Sequence, residues 1–304
     1  MSNWSISEPD LESIFNDHAS PLDALAAGDV PALVLRQAFP PAACERLVTK
    51  LIDTQLLYDP HHPIPEKFVE AAIPEGFFRK GLQGNAAKVW QDASVSGRTR
   101  IDIGSSLGYR GSNPDDFFSH AEQSRTLFQS LFGHEENPVD LLYESLTALS
   151  NGKQAVTAYE PDGRTYGPAI IRAHYGGYEY APHFDSVRLR EKREGFSVYE
   201  FEHQFAGVIV LQNTQLDDNV AQSILHRCLW EPDIDSHLQQ GTFHDYAREQ
   251  GIENIEVVLD PGDLYFFNTR GIHEVPGVAG VLPRIVLATF IGYSADRDEM
   301  FVWS

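Results

Sequence analysis

What most constrains the fold is a change of grammar near residue 168. From there the chain runs through "PAIIRAHY", "HQFAGVIVLQN", "AQSILHRCLW", "IEVVLD", "GDLYFFN" and "RIVLATFIGY". These are short β-branched or aromatic runs separated by turn residues. Turns and modest loops join them, whereas a parallel sheet would need long crossover connections, usually helices. The pattern predicts an antiparallel barrel or jelly roll rather than a parallel α/β sheet. Residues 231 to 250 interrupt it and are expected to form a helical insertion between two strands.

The first half reads as mainly helical. Cys44, Leu47, Val48, Leu51 and Ile52 recur at i, i+3, i+4, i+7 and i+8, the stripe of an amphipathic helix. A second helix is expected over 115 to 132, opening on "NPDD" and stopping at Gly133. A third is expected over 138 to 150, with Asn137 as cap, Pro138 in its first turn and "NG" as its stop. Residues 58 to 112 are rich in Pro, Gly and charge with weak periodicity, and read as loops with short elements lying over the site. No linker separates the halves. The expectation is a single catalytic unit over 1–304, with helical support and lid segments in 1–160 and the β core in 165–295.

Composition narrows the class of visitor. Lys plus Arg is 23 and Asp plus Glu is 44, a formal charge of −21. So acidic a surface repels nucleic acid phosphates and anionic membranes, and points to a small-molecule substrate. Cys44 and Cys228 are the only cysteines, and neither belongs to a CxxC pair. The opening "MSNWSISEPDLESIF" lacks a basic and an apolar region, and no apolar run approaches the ~20 residues of a membrane helix. A cytoplasmic protein is the default expectation. Oligomeric state is not legible.

The densest chemistry lies in "IIRAHYGGYEYAPHFDS", residues 170 to 186. His183 and Asp185, two apart on a strand, would share a face and suit a metal. The plainer reading is a strand with alternating aromatic and polar residues. Chance alone supplies on the order of one HxD in a chain of this composition, so the motif needs company. It has company ninety residues downstream, in "DPGDLYFFNTRGIHEVPGVAGVLPRIVLATFIGY". There a tight "PGD" turn launches a strand, His273 sits just beyond it, and Arg284 opens the next strand. Two imidazoles and one carboxylate far apart in sequence match the facial triad of non-haem iron(II) oxygenases, which leaves metal positions open. Arg284 offers the planar fork that a second carboxylate on a keto acid requires.

With these blocks in order, the chain resembles the Fe(II)/2-oxoglutarate-dependent dioxygenases. Its motif grammar is similar to that of the prolyl-4-hydroxylase-like branch, and bacterial small-molecule hydroxylases and halogenases look equally near. Arg172, Gly177, Tyr180, His183 and Asp185 match the first block of that grammar, "GDLYFF" the second, and "HEVPGV" with Arg284 the third. The segment "LVLRQAFPPAACERLVTKL" resembles a helix-opening stretch of the same superfamily. The resemblance implies a double-stranded β-helix, a cupin-type jelly roll, buttressed by N-terminal helices. It implies Fe(II) on His183, Asp185 and His273, 2-oxoglutarate as cosubstrate with Arg284 on its far carboxylate, and O2. Tyr180 and Arg172 would be further cofactor-binding residues.

The chain also departs from the grammar. In "RAHY", either His174 or Tyr175 takes the place of the usual tyrosine, and an arginine stands where many prolyl hydroxylases have lysine. The halogenases of the superfamily replace the HxD aspartate with a small residue, so Asp185 favours hydroxylation of a free amino acid or small specialised metabolite. Desaturation, cyclisation or halogenation would use nearly the same ligands. A non-catalytic cupin-type binding protein would have no use for Arg284. His226, His237 and His244 read as solvated or core residues, "VRLREKRE" after Asp185 as a solvated loop or a lid, and the HxE at His134 as incidental.

Overall fold

Strict alternation along the strands builds two faces. The computed structural model describes residues 4–11, 21–74, 87–91, 97–110, 113–132 and 136–304. With strands numbered in chain order, β6 (Ile170–Tyr175) turns Ile171, Ala173 and Tyr175 to one side and Ile170, Arg172 and His174 to the other. β8 (His203–Gln212) does the same with Phe205, Ile209 and Leu211 against Ala206, Val208 and Val210. One face meets helices; the other meets a second sheet.

The large sheet runs β1 (Ala32–Leu35), β13 (Leu264–Asn268), β8, β15 (Arg284–Tyr293), β6, β4 (Thr99–Gly104), β3 (Ala87–Gln91) and β2 (Ala72–Pro74). The far half of β15 also pairs with β16 (Glu299–Trp303), which brings in β5 (Gln154–Thr157). The small sheet is β12 (Asn254–Val257), β11 (Ser223–Leu229), β14 (Gly271–Val275) and β7 (Tyr180–His183), and β9 (Gln215–Leu216) with β10 (Asn219–Val220) forms a hairpin. Apart from β5 with β16 and β2 with β3, the pairings are antiparallel, as the turn-linked sequence predicts. The fold is mainly β with helices on the outside.

The helices form where the sequence places them. Helix Pro41–Asp53 buries Cys44, Leu47, Val48 and Leu51, with Ile52 packed at its margin, against the outer face of the large sheet. Helices Pro114–Leu131 and Pro138–Leu149 begin on Asn113 and Asn137, whose side chains accept from the backbone N–H of Asp115 and Val139. Leu146 and Leu149 are wholly buried, and each such leucine contributes about 1.5–3 kcal/mol. The insertion consists of a 3-10 turn and helices Asp235–Gln240 and Phe243–Gln250, lying between β11 and β12.

Three expectations shift. Within 58–112, β4 is a fully buried six-residue strand paired along the whole of β6, not a loop. Its R-I-D-I alternation has period 2 but is too short to stand out among the charged residues around it. His273 lies in a strand of its own, β14, and Asp185 lies two residues past the end of β7, its N–H bonded to the carbonyl of Thr269. Gly133, the His134 motif and parts of 1–15 and 58–112 lie outside the described residues.

The paired glycines of the motif perform the step between sheets. Gly176 and Gly177 have φ of +62° and +75°. A Cβ on Gly176 would stand 2.2 Å from the carbonyl oxygen of Gly97. Only glycine fits so close a left-handed turn, and it carries the chain from β6 in the large sheet to β7 in the small one.

Candidate active site

A cavity between the two sheets is lined by Arg172, His174, Tyr180, His183, Asp185, His273 and Arg284 together with apolar residues such as Val208 and Phe267. Antiparallel pairing of β7 with β14 sets His183 directly opposite His273, their ring centroids 4.2 Å apart. Asp185 Oδ2 is 3.7 Å from Nε2 of each histidine. That separation is too long for good hydrogen bonds and leaves room for a cation among the three atoms. Each imidazole is fixed from behind: Nδ1 of His183 meets the Ala181 carbonyl, and Nδ1 of His273 the Gly271 carbonyl, both at 2.8 Å. A proton on Nδ1 leaves the Nε2 lone pair free for a metal.

The electrostatics fit such a use. Burial first, then the neighbouring His273, pulls the His183 pKa down to about 4, although 24% of its side-chain surface stays open. The imidazole is therefore neutral, as ligation needs. Burial opposes the charge on Asp185, but the interaction with His273 and the nearby His183 and Arg190 outweigh it and hold the carboxyl well below its ordinary range. Arg190, from the "VRLREKRE" segment, donates from Nη1 to Asp185 Oδ1 at 3.1 Å and to the Phe184 carbonyl at 2.7 Å. The sequence offered no signal for this grip beyond the cationic run itself. Two imidazoles and one carboxylate are a donor set that suits Fe(II).

Deeper along β15 the cavity turns cationic. Arg284 is 4% exposed, its Nε has no hydrogen-bond partner, and Tyr265 meets its guanidinium, with Tyr180 also close by. Tyr265 in turn bonds Ser223 Oγ at 2.7 Å. Registered opposite Arg284 on β6 is His174, and opposite Val286 is Arg172. His174 therefore occupies the inward place of the "RAHY" block. Tyr175 faces outward, stacked on Tyr58 and donating to its carbonyl. Burial, and then Arg284, Arg100 and Arg172, depress the His174 pKa well below its usual value, so the cluster's positive charge rests on arginines. Tyr180 accepts from Arg100 at 3.2 Å. A buried guanidinium with an unused N–H fits the far carboxylate of a dianionic keto acid. Asn213, just past the end of β8, donates to the Leu259 carbonyl at 2.7 Å.

Residues 79–304 match the family model of carrier-protein-independent halogenase WelO5. The chain belongs to this family. WelO5-type enzymes are Fe(II)/2-oxoglutarate-dependent oxygenases, and Fe(II), 2-oxoglutarate and O2 are accordingly the cofactors and cosubstrates of the chain. No curated protein matches it. Among solved structures, an N-substituted L-amino acid dioxygenase from Burkholderia ambifaria AMMD is 17% identical, with 67% of this chain and 86% of that one covered at a TM-score of 0.45. The epimerase SnoN from nogalamycin biosynthesis is 10% identical over 91% of this chain and 84% of its own, TM-score 0.45. A Pseudomonas putida prolyl-4-hydroxylase is 12% identical over 88% and 94%, TM-score 0.36. Among the described residues of this WelO5-family chain, no helix is long and apolar enough to cross a membrane.

Proposed function

We propose that the chain is a hydroxylase that acts on an unactivated C–H bond of a free amino acid or small specialised metabolite. The two sheets would form a double-stranded β-helix, and the whole chain one catalytic unit. Asp185 carries this reading. The halogenases that the sequence resembles have a small residue at this position, which opens a place for halide. Here a carboxylate fills it, ionised and gripped by Arg190.

His183, Asp185 and His273 would hold the iron, while Arg284, with Tyr180 and Arg172 nearby, would take the far carboxylate of 2-oxoglutarate. When bound, iron, keto acid and O2 supply the oxidant for C–H cleavage and yield succinate and CO2. The protein's own share is positional. The carbonyls of Ala181 and Gly271 fix both rings, Arg190 aims the carboxylate, and the apolar inner faces of β8 and β13 exclude water.

The family match favours a second reading, halogenation. Anaerobic titration with Fe(II) and 2-oxoglutarate should give a metal-to-ligand charge-transfer band, and the correct member of a substrate library should perturb it. Turnover of that substrate in O2 with excess chloride then separates the readings by mass. Gain of an oxygen atom supports hydroxylation; gain of chlorine overturns it.

A further inference from the structure

His226 and His244 read from the sequence as solvated or core residues, yet the fold brings them together with Glu274. His226 is on β11, Glu274 on β14 and His244 in helix Phe243–Gln250 of the insertion. Their ligand atoms all lie within 4.8 Å of one another. His226 Nε2 is 2.8 Å from one oxygen of Glu274, and His244 Nε2 is 3.3 Å from the other. We propose that these three side chains form a second divalent-metal site, of the zinc class, which clamps the helical insertion onto the strand carrying His273.

The donor set comes first. Two imidazole nitrogens and one carboxylate oxygen form a common three-ligand set for Zn(II), which leaves a fourth position for water. Zinc–ligand bonds of about 2.0–2.2 Å in a tetrahedron place neighbouring ligand atoms roughly 3.3–3.5 Å apart. His244 Nε2 already stands at that spacing from one Glu274 oxygen, while His226 Nε2 meets the other at 2.8 Å and would part from it as the carboxylate rotates to admit the ion.

Charge points the same way. Glu274 is 8% exposed, and among the described residues its ion-pair partners are these two histidines, with no lysine or arginine. A carboxylate so nearly buried is costly without a compensating cation. A dication would balance it. One feature weakens the site relative to the first: His226 Nδ1 is buried without a partner, where His183 and His273 each have a carbonyl. His226 does border a cavity shared with Trp4 and Cys228, where a water could accept from that nitrogen. Exchangeable metal therefore fits better than a permanent structural ion.

The placement gives the clamp its leverage. Glu274 follows His273 on one strand and faces the opposite side, so the two clusters stand back to back across the small sheet. Phe184, between His183 and Asp185, packs in one cluster with Phe243, Ala247 and Ile272. Metal on His244 would hold that layer behind all three residues of the first cluster.

The test is Zn(II) stoichiometry on the full chain, by competition with a chromophoric chelator, backed by Co(II) visible absorption. Wild type should bind two equivalents. His183→Ala/His273→Ala should keep one, and His244→Ala, at an exposed helix position, should lose one while keeping the charge-transfer band with Fe(II) and 2-oxoglutarate. Glu274→Gln should weaken the same equivalent. If His244→Ala leaves the stoichiometry unchanged, the second site is overturned, whatever happens at the first. If His183→Ala/His273→Ala instead costs no metal while His244→Ala does, the second site stands and the triad reading falls.

Discussion

Replacing Arg284 with Met tests whether the cationic end of the cavity exists to hold 2-oxoglutarate. Methionine keeps much of the volume and removes the guanidinium. In the chain without ligand, that guanidinium is nearly fully buried beside Arg172, and burial lowers its hold on its proton. Removing it relieves like-charge repulsion, and exchanging a buried charge for an apolar group is often neutral or stabilising by about 1–4 kcal/mol. The urea midpoint of Arg284→Met should therefore match or exceed that of wild type. With 2-oxoglutarate the sign reverses, because the far carboxylate is left buried and unpaired. That costs about 2–5 kcal/mol, roughly 30- to 4,000-fold in Kd. A keto acid without the far carboxylate should bind the two proteins with similar affinity. Anaerobic titration of the charge-transfer band with both keto acids closes the cycle. An unchanged Kd for 2-oxoglutarate, or equal losses for both keto acids, would refute the assignment.

Asp185→Gly should lower Fe(II) affinity roughly 10–100-fold and abolish hydroxylation, with mainly uncoupled succinate in high chloride; wild-type product yield from this variant would remove Asp185 from the site. Arg190→Ala should weaken iron by up to about the same factor by freeing Asp185 Oδ1, with partial recovery in Arg190→Lys, as read by chelator competition. His174 protonates far more readily unfolded than folded, so its contribution to stability is complete above its ordinary pKa of about 6.5 and is lost as pH falls below it. His174→Phe should flatten the acid limb of a stability–pH curve by up to about 1.4 kcal/mol per pH unit, measured by urea unfolding between pH 7 and about pH 5.

Much of this was legible because the β core alternates so cleanly. All six runs singled out after residue 168 contain strands of the two sheets, and the stripe through Cys44 and Leu51 is a helix on the outer face. Those signals arise from apolar burial, which sequence period reports directly. Residues 58–112 read only as loops with short elements, and β4 is not distinguished among them because its alternation rests on just Ile101 and Ile103, with Arg100 and Asp102 on the other face. Likewise, the choice between His174 and Tyr175 became definite only once β6 had a partner and hence two distinguishable faces. Links that depend on a loop's path, such as Arg190 to Asp185, or on separate elements converging, such as His244 to Glu274, leave no periodic trace in the chain.

The way the three side chains of the triad are fastened has a mechanical consequence. Each imidazole is tied to a carbonyl two residues back on its own strand, so sheet geometry alone keeps the pair aimed. The carboxylate is tethered to a half-exposed arginine on the loop that follows it. Movement of that loop would leave two jaws fixed and swing the third. In the proposed hydroxylase, substrate pressing on that loop would turn the carboxylate without disturbing either histidine.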